Sequence, residues 1–181
     1  MNTPTQARPA DPARLFLALW PDADALAAIT AWRGACTWPA GVRLTPRAHL
    51  HVTLHFLGAV PRARIAGFDA ALAPASPVEP VAFVLSKAAL WHGGIAVLEP
   101  AAPPAALTAL HARLGAALAG LGLPLEARAY RPHVTLAREA GGATLAPVNE
   151  PPAWTSRSVG LVESRGGRYE TLRTWPSHAS T

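Results

Sequence analysis

Apolar and polar positions alternate strictly over residues 49–57. Leu50, Val52, Leu54 and Phe56 fall on one parity, and His49, His51, Thr53 and His55 on the other. Successive side chains of a strand point to opposite faces, so this stretch predicts a two-faced strand ended by Gly58. Residues 14–20 are short and apolar and stop at Pro21, the pattern of a buried strand. Pro21 and Asp22 then open an Ala-rich helix to about residue 35, with proline in the first turn and acid near the N-terminus. Residues 42–45 predict a short strand, and Pro61 starts a second helix to about residue 73. Residues 81–91 and 95–98 read as two strands around a turn at His92-Gly93-Gly94. Pro103-Pro104 opens the longest helix, to about residue 119, which Gly120 and Gly122 end. A strand follows at residues 133–136, then a Pro-rich connection over 144–155. Residues 158–164 and 169–175 form a last pair turned at Gly166-Gly167. Residues 1–12 are polar and Pro-rich, which predicts a mobile tail and no signal peptide. Residues 13–181 form the folded domain. Its order of βα, then β-rich, then α, then β predicts an α+β fold with largely antiparallel sheets.

Half of the 181 residues are apolar, enough for a sizeable core and against global disorder. The cations are arginines except for Lys87, and the net charge is +5. That balance favours anionic partners, nucleic acid first, and gives nearly every cation a planar fork for phosphate. The one cysteine, Cys36, allows no internal disulfide, and no Cys/His zinc pattern exists. With no run of 18 uncharged apolar residues, no membrane span is predicted, and a cytoplasmic location is expected.

The tetrapeptide His-Val-Thr-Leu occurs twice, at residues 51–54 and 133–136. Each copy lies on a predicted strand with His and Thr on one face, and the copies fall in opposite halves of the chain. Two equivalent strands facing each other would gather two imidazoles and two hydroxyls around one small site. Imidazole titrates near pH 6.5, so one ring can serve as base while the other serves as acid. The hydroxyls can donate hydrogen bonds to an anion. A phosphodiester attacked by water suits this set, with a rate optimum expected between roughly pH 6 and 8.

These two His-x-Thr segments resemble the paired signatures of the two-histidine (2H) phosphoesterases, and most closely the bacterial RNA 2′,3′-cyclic phosphodiesterases, or 2′-5′ RNA ligase family. Supporting stretches are Arg14-Leu15-Phe16-Leu17-Ala18-Leu19, the run from His49 through Gly58, the run from Tyr130 through Arg138, and Glu163-Ser164-Arg165 with Arg168-Tyr169. The resemblance spans residues 14–176. It implies two αβ lobes related by a pseudo-twofold axis, each a mainly antiparallel sheet with helices outside, and an active-site cleft between them. It implies metal-independent and cofactor-independent hydrolysis of a terminal 2′,3′-cyclic phosphate to a 2′-phosphate, and reversible 2′-5′ RNA ligation. His51 would be the proton donor and His133 the acceptor. Thr53, Thr135 and Arg138 would hold the phosphate. RNA ends or 2′,3′-cyclic nucleotides are the implied partners of a monomer. Two departures stand out: Tyr130 replaces a frequent Phe, and the turn between Arg165 and Arg168 is short.

The remaining candidates have bland readings beside sharp ones. His49 and His55 share the motif face and are expected at its rim, with His49 a candidate substrate contact. Tyr130 and Phe16 could stack on a base, though Phe16 is expected in the core. Arg138 has the opposite parity to Thr135 and needs a twist or bulge to reach the cleft. Arg43, Arg47 and Arg131 are expected as solvated charges. The tryptophans are expected to be packing residues. Two other functions fit parts of the pattern. One is a zinc hydrolase built on His49, His51, His55 and His133. The other is an RNA-binding module without turnover.

Overall fold

The computed structural model describes residues 12–76 and 79–177, so the expected tail at residues 1–12 lies almost wholly outside the described residues. Ten strands and three α-helices follow in the order β1 (Ala13–Leu19), α1 (Ala23–Gly34), β2 (Arg43–Leu44), β3 (Val52–Val60), α2 (Phe68–Leu72), β4 (Val81–Val84), β5 (Lys87–Trp91), β6 (Ile95–Glu99), α3 (Ala105–Gly120), β7 (Val134–Arg138), β8 (Ala153–Ser156), β9 (Ser158–Arg165) and β10 (Arg168–Pro176). This is the expected α+β class. No helix among the described residues is long and apolar enough to cross a membrane.

Local chemistry sets the helices. Asp22 caps α1, its side chain accepting the Ala25 N–H at 2.9 Å, and the helix buries Ala25, Ile29 and Trp32 at helical spacing. In α3 the buried stripe is Leu107, Leu110, Leu114 and Leu118. Gly122, at φ +66°, closes that helix, with the Leu123 N–H donating back to the Leu118 carbonyl at 3.1 Å.

The main sheet is two antiparallel halves joined at one point. One half has the order β10-β9-β1-β3, the other β7-β6-β5 with β2 against the free side of β7. The halves meet where β3 pairs β7, and the matched residues are Val52 and Val134, the centres of the two His-Val-Thr copies. Both copies carry the same irregularity. Across β1, Thr53 faces Ala18 and His55 faces Leu17, so Leu54 is an extra residue. Across β6, Thr135 faces Val97 and Ala137 faces Ala96, so Leu136 is extra. A bulge of this kind reverses the inward and outward parity of everything after it.

That reversal corrects the simple alternation. Leu50, Val52 and Leu54 are buried as expected, but Phe56 is 59% exposed and His55 is buried. His55 therefore leaves the motif face and packs against α3. Gly115 allows the close approach: a Cβ there would stand 3.3 Å from the His55 ring. Gly58 does not end the strand. Its φ of +69° accommodates a further shift, and β3 runs on to Val60. Nor does the strand include His49, which lies in a 3-10 turn over Arg47–His49.

Three other expectations change. The helix after Pro61 is a 3-10 segment, Arg62–Gly67, leading into the short α2. The expected strand over 81–91 is two strands in different sheets, because Leu85 and Ser86 break it. The Pro-rich connection over 144–155 contains most of β8, which pairs β4 in a separate two-stranded sheet.

Candidate functional site

The join between the halves builds the site. With Val52 opposite Val134, one step outward along the antiparallel register places His51 beside Thr135 and Thr53 beside His133. Side chains two apart on one strand are about 7 Å apart, and directly opposed ones about 5 Å. The four groups thus form a small rectangle with like residues on its diagonals. His51, Thr53, His133 and Thr135 all line one open cleft of about 260 Å³.

Each imidazole is fixed the same way. His51 donates its Nδ1 proton to the His49 carbonyl at 2.6 Å, and His133 donates its own to the Arg131 carbonyl at 2.7 Å. A backbone acceptor two residues upstream holds the proton on Nδ1 and leaves Nε2 free for chemistry. In the neutral His51 ring, Nε2 accepts the Thr53 hydroxyl at 3.0 Å.

The surroundings of the rings differ. Phe16 and Trp20 lie 5.0 Å from His51, and Tyr169 stands edge-on at 5.6 Å. This apolar enclosure strips water from the ring and pushes its pKa down to about 4, with repulsion from His133 a smaller contribution. Burial also lowers His133, but the Glu99 carboxylate pulls in the opposite sense. Trp91 sits 4.3 Å from the His133 ring.

The bulges decide the fourth position of each motif. The parity change after Leu136 brings Arg138 to the cleft wall, and the matching change after Leu54 brings Phe56 there. Arg138 is otherwise exposed, beside the Arg43–Glu139 ion pair across the Arg43↔Arg138 register. His49 lines the same cleft, stacked on Tyr169 at 4.1 Å.

Tyr130 stands one step away. Its hydroxyl donates to the Thr53 carbonyl at 3.3 Å, and its ring stacks on His111 at 3.9 Å. His111 stacks in turn on His55 at 3.9 Å, and His55 Nε2 donates to the His111 carbonyl at 2.8 Å. Tyr130 and His111 line a neighbouring cavity of about 270 Å³ that shares Thr53, Phe56, Trp91, Arg128 and His133 with the cleft.

Other expected roles shift. Phe16 is buried as expected, but beneath His51 rather than in the main core. Arg131 is not a free solvated charge: its guanidinium pairs with buried Glu99 and lies 4.2 Å over Trp91. Trp91 is a cleft residue, whereas Trp32, Trp154 and Trp175 are packed as expected and Trp20 packs against the Phe16 cluster beside His51. The four-histidine zinc set does not assemble, because His55 faces α3, and no group of three or more metal-binding side chains occurs among the described residues. Sequence reasoning missed Trp91, Glu99 and Arg128. Only their order relative to the second motif hints at them.

The chain matches the family model described as "2′-5′ RNA ligase superfamily" over residues 20–168. Among solved structures it is similar to Escherichia coli LigT in its apo form, with 28% identity, a TM-score of 0.78, and coverage of 93% of this chain and 99% of that one. LigT complexed with 3′-AMP matches at 27% identity and TM-score 0.77, covering 92% and 98% of the two chains. TT0787 of Thermus thermophilus shares the fold at 21% identity and TM-score 0.72, covering 93% and 100%. No curated protein matches the chain in sequence.

Proposed function

The chain belongs to the 2′-5′ RNA ligase superfamily, the 2H phosphoesterases, and from that premise we propose that it hydrolyses the 2′,3′-cyclic phosphate at RNA ends to a 2′-phosphate. The observation that carries the reading is the Val52↔Val134 register, which sets two imidazoles and two hydroxyls around one cleft. The binding of 3′-AMP by LigT supports a nucleotide ligand.

In this mechanism Thr53, Thr135 and Arg138 hold the phosphate oxygens. Water attacks phosphorus and gives its proton to Nε2 of His133. The bond from phosphorus to O3′ breaks, and His51 Nε2–H protonates the departing oxygen. The product is a 2′-phosphomonoester, and the net proton transfer from His51 to His133 resets through solvent. His51 is neutral near pH 7 in the free protein, so the bound anion must supply the counter-charge that lets the ring carry its proton. His49 and Tyr130 border the substrate. A 5′-hydroxyl in place of water attacks the same phosphorus, gives its proton to His133 and, as the bond to O3′ breaks, forms a 2′-5′ phosphodiester beside a free 3′-hydroxyl; the reverse of that step re-forms the cyclic phosphate. The folded unit, residues 13–181, acts as a monomer without cofactor in the cytoplasm.

The test is incubation with an RNA ending in a 2′,3′-cyclic phosphate and identification of the product. A 2′-phosphate supports the reading. A 3′-phosphate overturns the assignment of His51 as donor to O3′. Intact cyclic phosphate recovered from a tight complex replaces the enzyme with an RNA-binding module.

A further inference from the structure

On the reading above, both imidazoles work through Nε2 and need their Nδ1 protons kept in place. We propose that Glu99 is a positioning residue for His133: its carboxylate fixes the Arg131 side chain, and Arg131 in turn fixes the carbonyl that holds the His133 ring.

Glu99 is the last residue of β6 and only 4% exposed. Its two oxygens accept from Arg131 Nε and Nη2, both at 2.8 Å, and Lys87 Nζ lies 3.4 Å away. A two-pronged guanidinium–carboxylate pair fixes direction as well as distance. The Arg131 guanidinium also lies 4.2 Å over Trp91, the ring that lies 4.3 Å from His133. Arg131 is followed by Pro132. Proline locks its own φ and confines the preceding residue to extended backbone. With the guanidinium clamped at one end and the backbone confined at the other, the carbonyl that accepts the His133 Nδ1–H at 2.7 Å has little freedom to turn.

The ion pair is not needed to hold β6 to β7, because Leu98 already pairs with Val134 and Val97 with Thr135. The first half reaches the same end without charge. There the residue whose carbonyl accepts is His49, and its ring is anchored by stacking on Tyr169 at 4.1 Å. Each half thus anchors the residue two positions before its histidine on an aromatic ring that also touches the histidine, and only the second half adds a carboxylate.

Glu99 has a second effect on the ring it positions. The charged groups facing His133 are Glu99 from β6, Arg128 and Arg131 from the segment before β7, and His51 across the cleft. Glu99 alone among them favours the protonated ring.

The test is Glu99→Gln, read first by nitrogen NMR of the His133 ring in the free protein. The wild type should hold the neutral ring as the Nδ1–H tautomer. In Glu99→Gln the tautomers should mix and the His133 pKa should fall. With cyclic-phosphate RNA, kcat should drop on the order of 10-fold, the scale of losing an outer support, with KM little changed. In a His133→Ala background the same change should cost nothing more. Arg131→Lys, which loses the fork, should move the NMR readout the same way, and it decides the question should Glu99→Gln fail to fold. An unchanged tautomer and pKa beside a merely lowered Tm overturns the proposal. The NMR arm needs no substrate, so absence of turnover in the wild type would sink the proposed function without touching this result.

Discussion

The two halves of the cleft use one backbone device with different supports. In both, a His-Val-Thr segment opens a strand, a bulge follows the threonine, and a carbonyl two residues upstream holds the imidazole. In the first half the rings packed against the histidine are Phe16, Trp20 and Tyr169, with His49 stacked on Tyr169. In the second half the support is ionic, with Glu99 and Arg131 beside Trp91. The wall position after the bulge is Phe56 in one and Arg138 in the other. Geometry is duplicated and electrostatics is not. A duplicated frame with unequal surroundings is how two identical residue types acquire opposite protonic tasks.

The largest effects should come from the duplicated parts. His51→Ala and His133→Ala should each lose the 10²–10⁴-fold typical of a positioned acid or base. The double variant should be little worse than either, since the two act as a unit. Rates that multiply instead would break the pairing.

Thr53→Val and Thr135→Val should each cost on the order of 10²-fold by removing a donor to developing charge. They should differ in pH dependence. Thr53 stabilises neutral His51 through its 3.0 Å bond to Nε2, so Thr53→Val should raise the His51 pKa and move one limb of the rate profile upward. Thr135→Val should leave both limbs in place.

The pH profile of the wild type sharpens the unequal halves. Both imidazoles sit below their ordinary pKa in the free protein. The state with one ring charged is then most populated below pH ~6.5, and kcat/KM should peak there, under the centre of the range composition alone suggests. A bound phosphate favours imidazolium, so the kcat profile should lie at higher pH. Coincident profiles would remove the anion from the account.

Exchange at the wall should matter less. Arg138→Ala should weaken substrate binding by about 10-fold, roughly the 1.5–3 kcal/mol of a charged hydrogen bond at its lower end, and Arg138→Lys should rescue poorly because the fork is lost. Phe56→Ala should alter KM less. Equal effects would make the two wall positions interchangeable.

The smallest effect concerns stability. Burial and the neighbouring His55 depress His111 to about 4. Its unfolded value is near 6.5, so the folded state is favoured fully above that pH and loses this contribution as pH falls from about 6.5 towards 4. Tm measured across this window should decline, and less steeply in His111→Phe, which keeps the stack and removes the proton.

Much of the fold is legible in local patterns. Asp22 and the Ala25, Ile29, Trp32 spacing mark α1, Gly122 marks the end of α3, and the repeated tetrapeptide marks the site. The bulges are not legible. Leu54 and Leu136 are ordinary strand residues, and the extra residue shows only against its partner strand. Hence the alternation that locates His51 and Thr53 misplaces His55 and Phe56 immediately beyond them. The parity of Arg138 required such a device, and the structure supplies it. Glu99 and Trp91 stayed hidden for another reason. They sit more than 30 positions before His133 and reach it only because β6 pairs with β7. β8 went unseen because its partner β4 lay inside what read as one long strand.

The Val52↔Val134 pair has a consequence for the direction in which a substrate lies. A half-turn about that pair exchanges His51 with His133 and Thr53 with Thr135, so the four-group rectangle reads the same from either end. Taken alone, it would accept a phosphodiester in two opposed senses, productive in one and idle in the other. Polarity has to be written by residues that the half-turn does not exchange for their like. Phe56 against Arg138, and stacked His49 against clamped Arg131, are those residues. Phe56→Arg, which makes the two walls alike while keeping Arg138 and the clamped Arg131, should slow turnover by raising the share of idle encounters.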